Sequence, residues 1–404
     1  MRDTLRMVEG GLDNVLGFFS FGIHCGIKKN KNDLAVIFSE APAVAAGMFT
    51  KNEVRAAPVV VTQRHLEKSG MLRLVVVNSG VANACTGKRG EEDAEWVTKR
   101  ASEYFHIGDP SFVAVASTGV IGEFLPLEKI DEGLRQLSSL VPPRRSSRET
   151  TKAIMTTDTF PKERAITFTL AGREAHLAGI AKGAGMIRPN LATMLSFLIT
   201  DVAIPREKLQ GLLREAVDRS FHRVTIDGDT STNDTVLLLA NGRSGVVIED
   251  DPAFSLFREA LFVVCEELAK DLARDGEGAT KFVTVVVRGA RTEEDARRCA
   301  FTVAESPLVK TALFGEDPNW GRVMAALGRS GAQLDPARVR IALNGVLCVQ
   351  NGMRAEGFSR EGLKEAMGQK EIVIDINLGL GEASFEVWTC DLSVEYVRIN
   401  SCYT

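Results

Sequence analysis

The sequence predicts a mixed α/β protein, α+β in its layering, and three observations predict it. Short apolar, β-branched runs bounded by turn signals recur through the first half. Stretches with apolar residues at helical intervals lie between and after them. Toward the far end an Asn-Gly pair separates two alternating apolar runs, which signals a tight hairpin. At 404 residues the chain exceeds one compact core, so two domains or one large layered unit are expected.

Taken in order, Leu34 to Ser39, Pro58 to Thr62, Leu72 to Asn78 and Phe112 to Ala116 read as buried strands. Glu91 to Phe105 places Ala94, Val97, Ala101 and Phe105 at helical spacing and reads as an amphipathic helix. Val141 to Ser147, with two prolines and several charges, reads as a connecting loop. In the second half Met194 to Ile199 is strand-like. Pro205 to Ser220 then puts Leu209, Leu212, Leu213, Ala216 and Val217 on one helical face. Asp251 and Pro252 supply a cap and a first-turn proline for a helix reaching about Ala273. Thr292 to Asp295 resembles a capping box with Asp in place of Glu. Val339 to Gln350 turns at Asn344-Gly345, and Ile372 to Leu378 and Ser384 to Thr389 add two strands. No internal repeat or low-complexity stretch interrupts this pattern.

Composition narrows the chemistry. Apolar residues at 45% and charged residues at 25% are the balance of an ordinary globular protein. A net charge of −4 offers no basic surface for tracking phosphates along nucleic acid. A small-molecule partner is therefore expected. The seven cysteines are odd in number and no pair has C-x-x-C spacing, so they read as reduced thiols of a cytosolic protein. The opening Met-Arg-Asp-Thr-Leu-Arg-Met-Val-Glu lacks the apolar core of a signal peptide, and no apolar run reaches the ~18 residues of a membrane span. A soluble, cytoplasmic protein is the expectation.

The common catalytic frameworks fit poorly. His24, His65, His106, His176 and His222 form no metal spacing and read as surface or packing residues, so no metal is expected. No G-x-S-x-G elbow is present. Gly80 to Lys88 has Arg89 where a P-loop needs Ser or Thr, and Gly179, Gly183 and Gly185 miss the dinucleotide fingerprint. ATP and NAD are not expected, and neither is any other cofactor. Asp227 to Asp234, dense in acids and hydroxyls, reads as a backbone-bonded turn before a cation loop.

The most unusual stretch runs from Gly179 to Phe197. Its glycines open backbone conformations closed to other residues, and Pro189 sets direction just before an apolar strand. By residue type alone, the Ala192-Thr193 step is a strand entry. Gly183-Ala-Gly-Met-Ile-x-Pro-Asn-Leu-Ala-Thr-Met-Leu, however, resembles the self-cleavage motif of the ornithine acetyltransferase family, also called glutamate N-acetyltransferase. Further similar blocks lie in family order along nearly the whole chain. They include Phe49-Thr-Lys-Asn, Ala56-Ala-Pro, Val77-Asn-Ser-Gly, Ala82-Asn-Ala-Cys-Thr-Gly and Ser117-Thr-Gly-Val-Ile-Gly. Met155-Thr-Thr-Asp-Thr, Asp227-Gly-Asp-x-Ser-Thr-Asn-Asp, Glu277-Gly-Ala-Thr-Lys and Lys310-Thr-Ala-Leu-Phe-Gly-x-Asp-Pro-Asn-Trp-Gly-Arg continue the series. Two departures stand out. Val81 replaces the usual Asn, a change expected to alter packing near Asn83, and Thr404 ends the chain about one residue short of the common terminus.

The resemblance implies an αββα-type sandwich similar to, but distinct from, the N-terminal-nucleophile hydrolases. It implies a self-made cut between Ala192 and Thr193, giving an alpha chain of residues 1–192 with the oxyanion hole. The beta chain of residues 193–404 then starts with the nucleophile, and two of each chain assemble. Chemistry explains the threonine at the junction: its hydroxyl attacks the preceding carbonyl, the chain shifts from amide to ester, and water frees Thr193. The new α-amine titrates near ~7.7–8.0, against ~10.4 for lysine, and can act as base to its own hydroxyl.

By the same resemblance Thr193 takes acetyl from N-acetylornithine, releases ornithine and passes the acetyl to glutamate, forming N-acetylglutamate. Thr118 and the Gly119 N–H match the oxyanion hole, where one donor is worth ~2.7–4 kcal/mol. Thr156, Lys182, Thr193, Glu277, Asn400 and Thr404 match substrate-binding positions. Lys182 suits a carboxylate and Glu277 an ammonium, with that pairing left open. Acetyl-CoA as a further acetyl donor is also open. Read from the residues alone, Thr118-Gly119 is a turn after a strand ending at Ala116, and Thr156 and Thr157 are both turn residues. On that reading Lys182 and Glu277 are solvated loop charges, and Asn400 and Thr404 belong to a frayed tail. Two other functions remain: an N-terminal-threonine aminopeptidase or amidase of similar fold, and an uncut, non-enzymatic binding protein.

Overall fold

The apolar runs become strands of two sheets, one in each of two compact units of a computed structural model that describes residues 5–170, 172–188, 194–249, 251–358 and 360–401. The first unit comprises residues 1–222 and 229–272, the second 223–228 and 273–404. In the first unit the chain runs through β1 (Leu5–Val8), β2 (Phe18–Ile23), β3 (Leu34–Phe49), α1 (Ala57–Ser69), β4 (Met71–Val81), α2 (Gly87–Tyr104) and β5 (Val113–Val120). It continues through α3 (Leu127–Leu140), α4 (Ser147–Ile154), β6 (Lys162–Leu170), β7 (Arg173–Lys182), β8 (Leu195–Thr200), α5 (Arg206–Arg219), β9 (Thr235–Ala240) and α6 (Asp251–Arg274).

These nine strands form one sheet in the order β1-β6-β7-β8-β9-β3-β4-β5, with β2 also pairing with β3. Residue alternation sorts its two faces, because successive side chains point opposite ways. Ala35, Ile37, Val75, Val77, Ala114, Ala116, Ala178, Ile180, Leu195, Phe197, Ile199, Leu237 and Leu239 share one interior cluster. Their neighbours Leu34, Val36, Leu74, Val76, Val113 and Val115 face outward and pack with Ala94, Val97 and Ala101 of α2 and Ile130, Leu134 and Leu137 of α3. On the other half Phe168 of β6 meets Phe257 of α6, ring centroids 6.1 Å apart. A Cβ at Gly179 would lie 3.0 Å from Leu268. One continuous sheet thus folds back on itself, with helices outside both halves, giving the expected αββα order.

The second unit holds β10 (Phe282–Ala290), α7 (Glu293–Ala304), α8 (Pro307–Phe314), α9 (Trp320–Gly328), β11 (Arg340–Leu343), β12 (Val346–Gln350) and β13 (Met353–Arg354). After them come α10 (Arg360–Met367), β14 (Glu371–Asn377), β15 (Ala383–Cys390) and α11 (Val394–Ser401). Its six strands run β13-β12-β11-β14-β10-β15. Val283, Val285 and Val287 pack on Ala296, Cys299, Ala300 and Val303 of α7. The Thr292 hydroxyl caps α7 by accepting the Asp295 N–H, as its spacing predicts. The β11–β12 hairpin turns at Asn344 and Gly345, with φ of 43° and 80°, the left-handed pair a type I′ turn requires.

One expected strand is corrected. Pro58 to Thr62 lies in helix α1, although Val59-Val60-Val61-Thr62 favours β structure locally. Pro58 occupies the first helical turn, and Gly70 closes the helix at φ 65° with its N–H on the Leu66 carbonyl. Ala57, Val61 and Leu66 are buried, so packing of one helical face outweighs local preference. The expected loop over 141–147 ends one residue early, because Ser147 opens α4, capped by the Ser146 side chain.

Candidate active site

Strands far apart in the sheet order meet at one lysine. Lys182 closes β7 and Thr118 sits near the end of β5, five steps apart in the order of strands. Only a folded-back sheet lets the Lys182 ammonium reach the Thr118 hydroxyl at 3.1 Å. The same ammonium donates to the Thr156 hydroxyl at 2.9 Å, from the loop after α4. Lys182 is 1% exposed and Thr118 3%, so the lysine is a buried cation and not a solvated loop charge. Between the two threonines of the loop, Thr156 is the one that meets Lys182.

Asp158 organises this corner. Its Oδ1 accepts from Lys162 Nζ and from the Gly183 N–H, each at 2.7 Å, and its Oδ2 accepts the Thr156 N–H at 3.0 Å. Burial alone would push this carboxyl up, but Lys162 and Lys182 together hold it well below the usual carboxylate range. One ionised carboxylate therefore ties the Thr156 loop, the start of β6 and the end of β7 together. Its worth to the fold rests on that pairing, since an unpaired charge here would carry the full desolvation cost.

The Thr118-Gly119 step lies within β5, which runs on to Val120, and is not a turn after Ala116. Gly119 has φ 133° and faces Gly80 of β4, and a Cβ on it would fall 2.2 Å from the Gly80 carbonyl carbon. No side chain fits there, so the backbone N–H of residue 119 stands in a close strand pair that only glycine permits. Val81 also belongs to this edge: its carbonyl accepts from Asn78 Nδ2 at 2.9 Å, and its side chain packs on the outer helical cluster. Asn83 is buried, with its amide on the Gly90 carbonyl at 2.9 Å.

The junction itself, Ala192 and Thr193, lies outside the described residues, as does Thr404. The residues just beyond the junction are firmly held. Leu195 pairs with Lys182 in register, and Met194 donates its N–H to Asp234 Oδ1 at 3.1 Å while its carbonyl accepts the Thr235 N–H at 3.2 Å. The neighbouring Asn233 Nδ2 donates to the Ser117 carbonyl at 2.8 Å and the Ala82 carbonyl at 2.7 Å. One turn at the head of β9 thus holds both the residue after Thr193 and the residue before Thr118. Asp234 is fully buried, which pushes its carboxyl well above the usual range, although the Met194 N–H and Lys182 oppose this. Residues 229–234 form a turn tied to Thr50 and Asn52 through the Ser231 and Thr230 carbonyls, and no group of metal-binding side chains occurs among the described residues.

In the second unit Glu277 and Asn400 meet: Asn400 Nδ2 donates to Glu277 Oε2 at 2.7 Å. Glu277 is 7% exposed and Asn400 lies in helix α11, so the first is a buried carboxylate and the second a helical residue, not a frayed tail. Sequence reasoning passed over Asp158, Lys162, Asn233 and Asp234 as individuals. Asp158, Asn233 and Asp234 sit inside motif blocks that were legible, but nothing in residue type separated them from their neighbours.

The αββα fold thus carries a buried lysine that bridges two threonine hydroxyls, beside a strand step that only glycine permits. The family is settled by comparison: residues 20–404 match the ArgJ family, and the chain belongs to it. It is similar to the arginine biosynthesis bifunctional protein ArgJ of Listeria monocytogenes, 43% identical over 99% of this chain and 100% of that one. The same protein of Bacillus subtilis is 43% identical over 99% of this chain and 98% of its own length. Among solved structures, ornithine acetyltransferase of Mycobacterium tuberculosis complexed with ornithine is 37% identical over 47% of this chain and all of that chain, with a TM-score of 0.43.

Proposed function

We propose that this acetyltransferase of arginine biosynthesis carries acetyl from N2-acetylornithine to glutamate on the hydroxyl of Thr193, freed by self-cleavage after Ala192. Membership of the ArgJ family over residues 20–404 carries acetyl transfer in arginine biosynthesis. The residues assign the parts. Thr193 attacks the acetyl carbonyl while its α-amine takes the hydroxyl proton. Negative charge gathering on the carbonyl oxygen is met by Thr118 and the Gly119 N–H. Ornithine leaves with the proton, glutamate's amine attacks the acetyl-threonine, and the enzyme is restored. Lys182 and Thr156 receive the substrate's carboxylate side.

No cofactor has a step in this chemistry, because the only group carried is acetyl and its carrier is a side chain. Acetyl-CoA can enter the same acetyl-threonine as a second donor, which would make the chain an amino-acid N-acetyltransferase as well. A cytoplasmic enzyme of two alpha and two beta chains completes the reading. No helix among the described residues is long and apolar enough to cross a membrane.

Single-turnover assays with N-acetylornithine test it. We expect one equivalent of ornithine without glutamate, an acetyl adduct on Thr193, and continued turnover with N-acetylglutamate formation once glutamate is added. Ornithine release at one steady rate regardless of glutamate would instead make the protein an amidase.

A further inference from the structure

Another lysine stands at this site. β2 and β3 are joined by residues 24–33, and Asp33, fully buried, gathers that loop by accepting the N–H groups of Cys25, Gly26 and Lys28 at 2.6, 3.2 and 2.8 Å. His24 Nδ1 lies 3.1 Å from the same carboxylate. The loop thereby aims Lys28 inward. Its stem crosses Gly80, where a Cβ would come within 3.1 Å of Lys28 Cγ, and Gly80 is the residue packed on Gly119. Its ammonium donates to the Met155 carbonyl at 2.9 Å, one residue before Thr156. Thr156 is therefore flanked by two cations, Lys182 on its hydroxyl and Lys28 on the preceding carbonyl.

An ammonium has three donors, and Met155 is the one acceptor for Lys28 among the described residues. Lys28 makes no ion pair within them, since Asp33 is occupied by backbone N–H groups and Asp158 by Lys162, Thr156 and Gly183. The corner still holds one more cation than anion: Lys28, Lys162 and Lys182 stand against Asp33 and Asp158. Such an excess in a half-buried place is relieved by an anion, and two separate ammonium groups suit a ligand with two carboxylates. The two amino acids of the reaction differ in this respect, because glutamate has two carboxylates and N-acetylornithine one.

We propose that Lys28 is a substrate-binding residue, the cation that receives the second carboxylate of a dicarboxylic amino-acid acceptor. This rests on the acetyl-transfer reading above and adds a basis for choosing the acceptor. Burial lowers the Lys28 ammonium to about 8, with Lys31 and Lys182 acting the same way and Asp33 and Asp158 opposing them. Acceptor binding through this lysine accordingly weakens as the pH rises past that value, where its charge is lost.

The test uses full-length enzyme and the variants Lys28→Met and Lys28→Arg, each first converted to acetyl-enzyme with N-acetylornithine. We expect Lys28→Met to raise KM for glutamate about 10- to 100-fold, the ordinary worth of a charge-assisted hydrogen bond. Its acetylation by N-acetylornithine changes by less than about threefold, and its preference for glutamate over glutamine falls. Lys28→Arg restores that preference and removes the rise in KM above about pH 8. An unchanged preference for glutamate over glutamine in soluble Lys28→Met, or equal damage to both half-reactions, overturns the proposal. Failure of wild-type acetyl-enzyme to transfer to glutamate would instead remove the underlying reading, so the two failures are distinct.

Discussion

The Asp234 carboxyl spends Oδ1 on the Met194 N–H, while Oδ2 is buried without a hydrogen bond among the described residues. Asp158, also buried, is satisfied by a lysine and two backbone N–H groups. The same residue type therefore titrates in opposite directions at two points of one site: partners win at Asp158 and desolvation wins at Asp234. The stability consequence has a definite sign. For Asp234 the folded state holds its proton more tightly than an unfolded chain does near ~3.9, so the fold loses stability as pH rises above that value. Asp234→Asn keeps an acceptor for Met194 and removes the titration. Its thermal midpoint should exceed that of the wild type at pH 8, with the gap closing toward pH 4. Thermal unfolding across that range checks this, and a gap independent of pH would contradict it.

Elements with a local signature follow the sequence closely. Thr292 and Asp295 announce α7 because a hydroxyl three residues ahead of a backbone N–H satisfies a donor the helix cannot satisfy itself. Thr292→Ala should cost about 1 kcal/mol, read as a lower urea midpoint for the cooperative unfolding of the second unit, and an unchanged midpoint would deny the cap its role. Asn344-Gly345 is legible for the same reason, since few residues tolerate its backbone. Helix α1 is not, because four β-favouring residues at its start are held helical by burial of a face that is formed by distant strands. α4 had its own signature, Ser146 three residues before Glu149, hidden behind the prolines of the preceding loop. The site divides likewise. Thr118, Gly119 and Thr156 stand in motif blocks and Lys182 in the glycine-rich stretch just before one, whereas Lys28 owes its place to a loop folded on Asp33 and to strands far away in sequence. No local pattern encodes such a contact.

At the scale of the molecule, the proposed cut falls inside the first unit and not between the two units. β8 and β9 come after residue 193, yet they lie between β7 and β3, which come before it. The severed chains would share ladders on both sides, antiparallel to β7 and to β3, and the interior cluster draws Phe197 and Leu237 together with Ile37 and Val77. Breaking one peptide bond removes none of that burial. The two fragments should therefore co-elute in native gel filtration and part only in denaturant. Spontaneous separation in native buffer would contradict the interleaved sheet.

All of the chemistry depends on a free amine at Thr193. Intact-mass spectrometry of the purified, active enzyme tests that most directly. Two polypeptides are expected, residues 1–192 and 193–404, with the acetyl adduct from N-acetylornithine confined to the second. A single uncut chain of 404 residues in fully active enzyme would contradict it.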